Sequence, residues 1–214
     1  MTRRRCGAPP VVRLLPMVSL WAAVLACPAA RAQDSFGGAA PSKLPPGAQR
    51  PAERDPGRAA SRPVEALPDA DESAASGVRA PTALHAGAMH GPTPNRIPGG
   101  RLVTTAELAA LLKGSEPPLI FDVLGGPQRL PGALHAVPAH RPGSFDDAIQ
   151  REFGGWLQSV TQGRTDRPLV FYCASTQCWM SYNAALRAIQ LGYRQVLWYR
   201  GGLQAWQRAG HPVQ

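Results

Sequence analysis

Apolar and polar positions follow two different patterns that meet near residue 100. From Arg101 onward, short apolar runs alternate with segments of helical period. Leu102 and Val103 suggest a short strand, and Thr104 with Glu107 reads as a capping box opening a helix over Thr105–Leu112. Leu119–Val123 is a continuous apolar run between prolines and glycines, as expected of a buried strand. Pro131-Gly132 predicts a turn, followed by a short strand over Ala133–Val137. Ser144 is placed to cap a helix from about Phe145 to Val160, with Asp146 and Asp147 favourably set in its first turn.

Leu169–Tyr172 reads as the next strand. Met180, Ala184, Ala185, Ala188, Ile189 and Leu191 then recur at helical spacing until Gly192 supplies the stop. Gln195–Tyr199 is a fifth strand, Gly201-Gly202 a tight turn, and Leu203–Arg208 a last helix closed by Gly210. Strands alternating with helices predict an α/β fold, a parallel sheet of about five strands covered by helices on both faces. Residues 101–214 are long enough to bury one core.

Upstream the pattern dissolves. Residues 33–100 contain 11 Pro, 9 Gly and 14 Ala, half of the segment, with Phe36 the only Phe, Trp or Tyr. Such a composition buries too little apolar surface to offset its ordering entropy, so it reads as a disordered linker. His85 and His90 fall inside it and are expected to be solvated.

The first 32 residues have the layout of a secretory signal. Arg3, Arg4, Arg5 and Arg13 precede the apolar stretch Leu14–Ala26, and Ala30-Arg31-Ala32 is a small-x-small cleavage site. The stretch is short for a membrane span, so a retained anchor is the alternative, with lipidation at Cys27 another. Thr2-Arg3-Arg4 hints at twin-arginine export, without the bulky apolar residues expected next. Cleavage near Ala32 predicts a periplasmic or secreted protein with no membrane span in the mature chain.

Charge adds little. The net charge is +9, but the leader supplies five positive charges and no negative ones, while residues 33–100 carry seven of each sign. Residues 101–214 carry eleven basic and seven acidic side chains, a balance suited to small anionic substrates. No dense basic stripe with interleaved aromatics is present, which argues against a nucleic-acid partner.

The chemistry concentrates at two cysteines. Cleavage near Ala32 removes Cys6 and Cys27, leaving Cys173 and Cys178 in a compartment that permits disulfides. Cys173 follows a buried strand and faces the start of a helix, where backbone N–H groups favour a thiolate. A bridge across so short a loop removes little chain entropy. A local staple is therefore the bland reading, and redox or sulfur chemistry the sharper one. His135, His140 and His211 are too scattered for a metal site, and no cofactor is implied.

At this point the order of motifs resembles a single rhodanese-like domain over residues 101–214: LIFDV (119–123), LPGAL (130–134), VFYC (170–173), LGY (191–193) and GGLQAWQRAGHPV (201–213). More narrowly, CWMSYNAALRA followed by VLWYRGG is similar to the PQQ-dependent catabolism-associated CXXCW-motif proteins. The resemblance implies an α/β sandwich with a six-residue active loop whose first cysteine carries a persulfide sulfur.

Several positions depart from that pattern. Cys178 stands where thiosulfate-using relatives usually end the loop with a basic residue, and the four residues between the cysteines exceed the two of CXXCW. Ala174, Ser175, Thr176 and Gln177 include no glycine, so a left-handed loop position would be costly. Asp122 matches the aspartate of the family's Asp-x-Arg element, but Leu124 replaces the arginine. These departures argue against ordinary thiosulfate turnover.

Three functions follow. In the first, Cys173 takes sulfane sulfur from a small sulfur-containing anion or a partner-protein thiol and holds it as a persulfide within a ring of loop N–H groups, with Cys178 as resolving thiol. In the second, the pair exchanges dithiol and disulfide with a periplasmic redox protein such as a quinoprotein or electron-transfer system, which requires Cα atoms within about 7 Å. In the third, the domain is a silent binding module with a permanent disulfide. Ala174, Ser175, Thr176, Gln177 and Trp179 are the candidate substrate loop, with Trp179 also readable as core packing. Asp122 is expected to anchor neighbouring loops, and Arg200 to supply the positive charge missing at Cys178.

Overall fold

A computed structural model describes Phe36 and residues 70–214. The expected leader, its cleavage site, Cys6, Cys27 and most of the expected linker lie outside the described residues. Among the described residues, no helix is long and apolar enough to cross a membrane.

Five parallel strands form one sheet: β1 (Arg101–Val103), β2 (Leu119–Asp122), β3 (Leu134–His135), β4 (Leu169–Tyr172) and β5 (Val196–Tyr199). Their spatial order is β1-β5-β4-β2-β3. Every neighbouring pair is parallel, with Phe121 beside Phe171 and Phe171 beside Trp198. The central strand β4 is buried along its whole length, as a parallel strand covered on both faces must be.

Among the described residues the α-helices are α1 (Ala70–Ser73), α2 (Thr105–Leu111), α3 (Ala148–Val160), α4 (Met180–Gln190) and α5 (Gly202–Arg208). One face of the sheet packs Phe121, Phe171 and Trp198 against Phe153 and Leu157 of α3 and Tyr182, Ala185 and Leu186 of α4. The other packs Val170, Tyr172 and Tyr199 against Leu108 of α2 and Trp206 of α5. Alternation along each strand thus sends its side chains to two separate cores.

The capping box is present, with Thr104 accepting from the Glu107 amide and Glu107 from the Thr104 amide. Gly192 follows α4 with φ +87°, a left-handed stop that a side chain would resist. Two elements differ from expectation by more than one residue at a boundary. The cap of α3 is Asp147 rather than Ser144, because the Asp147 carboxylate accepts from the Gln150 amide and also pairs with Arg187. β3 is shorter than Ala133–Val137, giving way to a 3₁₀ turn over Val137–His140 whose Pro138 has no N–H for a ladder.

The larger correction lies upstream. Residues 72–100, expected within a disordered linker, lie across the domain and hydrogen-bond to it repeatedly. Ile97 is buried in the α3–α4 core, and Val78, Leu84 and Met89 pack against that core. Phe36 is also buried: its amide donates to the His135 carbonyl, and its ring lies 5.4 Å from Phe153 and 5.7 Å from Trp156. Hydrogen bonds to the domain's surface, unavailable to an isolated segment, supply what this composition cannot provide alone.

Candidate functional site

Strands β4 and β2 are neighbours, but the chain leaves β4 toward β5 and leaves β2 toward β3. The loops beyond their carboxyl ends therefore diverge, and open parallel sheets place ligand sites at such a switch point. Cys173 sits there, one residue past β4. Asp122 ends β2, His135 ends β3, and Arg200 follows β5 on the same edge.

Cys173 and Cys178 are joined in a disulfide with Cα atoms 6.3 Å apart, inside the separation that bridging requires. Both residues are buried, each only 1 % exposed. Cys173, expected as a reactive thiolate, is thus closed to solvent in this oxidised form.

Three amides of the expected N–H ring are engaged elsewhere. The Cys178 amide donates to the Ser175 carbonyl at 3.2 Å and the Gln177 amide to Ser175 Oγ at 3.2 Å. The Trp179 amide donates outward to the Met89 carbonyl at 2.9 Å. No residue of the loop has a positive φ. Without glycine, the backbone avoids the left-handed turns that would aim successive amides at one point.

Upstream residues cover the loop. Thr93 Oγ donates to the Thr176 carbonyl at 2.6 Å, and the Gly91 amide to the Gln177 carbonyl at 2.9 Å. His90 pairs antiparallel with Cys178. His85, expected to be solvated, stacks on Trp179 with ring centroids 4.1 Å apart, and its amide and carbonyl both bond the Asn183 side chain. Of the remaining loop residues, Thr176 is buried, Ala174 and Ser175 are half-buried, and Gln177 is exposed. Trp179 is packed, edge-on to Tyr182 and under His85.

Arg200 differs from its expected role. Its guanidinium is buried and donates to Thr93 Oγ, the Thr93 carbonyl and the carbonyls of Glu72 and Ala74, at 2.9–3.1 Å. It therefore anchors the covering segment rather than offering charge to an anion beside Cys178. Glu72 reinforces the anchor by accepting from the amide and hydroxyl of Thr105. Gly202 lets the next turn approach: with φ +64°, a Cβ there would lie 2.4 Å from the Cys173 carbonyl oxygen. The amides of Leu203 and Gln204 then donate to the carbonyls of Cys173 and Ala174, each at 2.9 Å.

Asp122 does anchor a loop. Its Oδ1 accepts from the Leu124 and Gly125 amides at 2.8 and 3.3 Å. Its Oδ2 has no hydrogen bond, although His135 Nδ1 stands 3.6 Å away. Burial pushes the carboxyl above its ordinary range, outweighing the two amide bonds and nearby His135 and Arg129. His140 bonds the Val137 carbonyl and His211 packs on Trp206. Among the described residues, no group of three or more His, Cys, Asp or Glu could hold a metal ion.

The covering segment is the element that the sequence reading misses. A signal was present: residues 33–80 carry thirteen charged side chains, whereas residues 81–100 carry only Arg96 and include Leu84, Met89 and Ile97. That charge-poor stretch, set beside the domain, is a packed segment with little helical or strand periodicity.

Comparison with a family model agrees with this architecture. Residues 104–209 match the family model described as the rhodanese-like domain. A sulfurtransferase of Allochromatium vinosum is 37% identical over 71 residues, which span 33% of this chain and 64% of that relative's length. Similar solved structures include a protein of unknown function from Rhodopseudomonas palustris (25% identity, TM-score 0.39, 53% of this chain and 84% of that one). Another is the rhodanese-like domain of an Anabaena protein (19% identity, TM-score 0.39, 53% and 77%). A third is EanB (19% identity, TM-score 0.43, 56% and 32%). The chain therefore contains a rhodanese-like domain, spanning residues 104–209.

Proposed function

We propose that this protein is an exported sulfurtransferase in which Cys173 accepts sulfane sulfur and Cys178 resolves the resulting persulfide. The observation that carries the reading is the Cys173–Cys178 bridge beyond the central strand, at the switch point of a rhodanese-like sheet. The bridge closes a short loop, so it adds little stability, and its position favours chemistry over stapling. The similarity to a sulfurtransferase supports the same direction.

The cycle starts from the dithiol. The Cys173 thiolate attacks the outer sulfur of a polysulfide, forming Cys173–S–S⁻ and expelling the shortened polysulfide. The Cys178 thiolate then attacks the Cys173 sulfur. The sulfur–sulfur bond to the carried atom breaks, hydrosulfide leaves, and the observed disulfide forms. Two electrons have passed from the thiols to the sulfane sulfur, and a dithiol reductant must restore them. Export into an oxidising compartment is part of the proposal, because the oxidised pair persists there.

The test is sulfide release by the reduced exported form, cleaved near Ala32 and so without Cys6 and Cys27, given polysulfide in the absence of other thiols. Release of about one sulfide per chain, with re-formation of the disulfide, is expected from that stoichiometry. Quantitative recovery of free thiols with no sulfide would remove the reading. A second reading, disulfide exchange with a partner protein, is favoured by the observed oxidised pair. It predicts oxidation by a partner disulfide without sulfide release.

A further inference from the structure

Residues 85–93 touch four successive residues of the loop, and three of these lie within or close the ring made by the disulfide. Thr93 holds the Thr176 carbonyl, Gly91 the Gln177 carbonyl, His90 pairs with Cys178, and Met89 accepts from Trp179. His85 closes over the Trp179 ring. Both cysteines are buried in this state.

The carbonyls of Thr176 and Gln177 are presented to the strap by a loop whose ends the disulfide ties together. A reduced loop has no such tie and samples more conformations, so it presents those acceptors less often. Contacts that depend on the oxidised loop shape favour the oxidised state, and the linkage is reciprocal.

We propose that the segment 85–93 is a redox-coupled strap: it binds the disulfide form of the loop more tightly than the dithiol form, and its departure admits reductants and sulfur donors to Cys173. This deepens the proposed function by assigning it a gate, but it needs only the redox pair and not sulfur transfer. Reduction passes two electrons from a dithiol reductant to the Cys173–Cys178 bond. Both cysteine sulfurs take up protons and the reductant becomes a disulfide. The strap then detaches more readily, and re-oxidation draws it back.

The experiment uses the full chain, dithiothreitol as reductant and no sulfur donor, so a failure of sulfur transfer leaves it unaffected. In Thr93→Val, which keeps the side-chain shape but loses the hydroxyl, reduction should be about tenfold faster than in the wild type. The equilibrium should shift about tenfold toward the dithiol, equivalent to about 30 mV for this two-electron couple. Equal rates and equal equilibria in folded wild type and variant would overturn the proposal. If the variant does not fold, hydrogen exchange of the wild type decides. The Gly91 and Trp179 amides should exchange at least about tenfold faster in the reduced protein, and equal protection in both states overturns the coupling.

Discussion

Arg200 and Thr93 are joined twice: Arg200 Nε donates to the Thr93 hydroxyl at 2.9 Å, and a terminal nitrogen donates to the Thr93 carbonyl at 3.0 Å. Thr93 in turn holds Thr176 through a 2.6 Å bond. A residue one position beyond β5 thereby controls what lies over the cysteine loop. Replacing it with Met should remove the charge and strand the buried acceptors of Thr93 and Glu72, costing about 3 kcal/mol of stability. Urea unfolding reads the loss, and limited proteolysis should show new cleavage between residues 72 and 93. An unchanged cleavage pattern would contradict the anchoring role.

Gly202 carries a different kind of constraint. A methyl group there would meet the backbone carbonyl of Cys173 at 2.4 Å, and the φ of +64° strains any side chain. Gly202→Ala should destabilise the fold by about 1–3 kcal/mol and slow disulfide formation, because the loop must move away. Denaturant midpoints and the rate of re-oxidation check both effects.

The Arg187 and Asp147 pair sets an acid limit. Arg187 is fully buried and donates to both carboxylate oxygens of Asp147, at 2.8 and 3.0 Å. The Arg187 hydrogen bond is the main cause holding the Asp147 carboxyl down at about 2, against an ordinary value of 3.8. A depressed carboxyl stabilises the fold above the unfolded value, and that contribution fades as pH falls through the folded one. The pair should therefore lose up to about 2 kcal/mol between about pH 4 and pH 2. Asp147→Ala leaves a buried guanidinium without its counter-ion and should cost about 3–5 kcal/mol at neutral pH. Chemical unfolding from pH 2 to 7 should show the acid-dependent step in the wild type and its loss in the variant.

Asp122 has the opposite sign. Burial raises its carboxyl, so its ionised form is disfavoured in the folded chain. The stability linked to the proton is present below the unfolded value and lost as pH rises through the folded one. Asp122→Asn still offers an acceptor to the Leu124 amide, without a buried charge. Its stability relative to wild type should improve from pH 3 to 7, as followed by urea unfolding at each pH. A variant that grows less stable across that range would show that the ionised carboxylate supports the fold.

Most of the sheet was legible because its strands are continuous apolar runs with turn residues at their ends. Leu119–Asp122 and Leu169–Tyr172 are buried on both faces, which leaves little ambiguity in a parallel sheet. Cys173 was legible for the same reason, since its place follows from where β4 stops. The cap of α3 was not, because Ser144 and Asp147 both have capping side chains and the choice depends on Arg187, forty residues away. The strap was hidden more deeply. Its stability comes from single bonds to carbonyls of the domain, through Thr93, Gly91 and Met89, and such contacts impose no period on the sequence. Arg200 stands out in the sequence for its charge, but its partners lie over a hundred residues upstream and leave no local pattern.

In the proposed cycle Cys173 takes the sulfur and Cys178 clears it. Intact-mass spectrometry of the reduced Cys178→Ser and Cys173→Ser chains after polysulfide treatment tests it most directly. Cys178→Ser should retain one added sulfur, removable by a dithiol, and Cys173→Ser should gain none. An unmodified Cys178→Ser chain, or an equal gain in Cys173→Ser, would contradict the account.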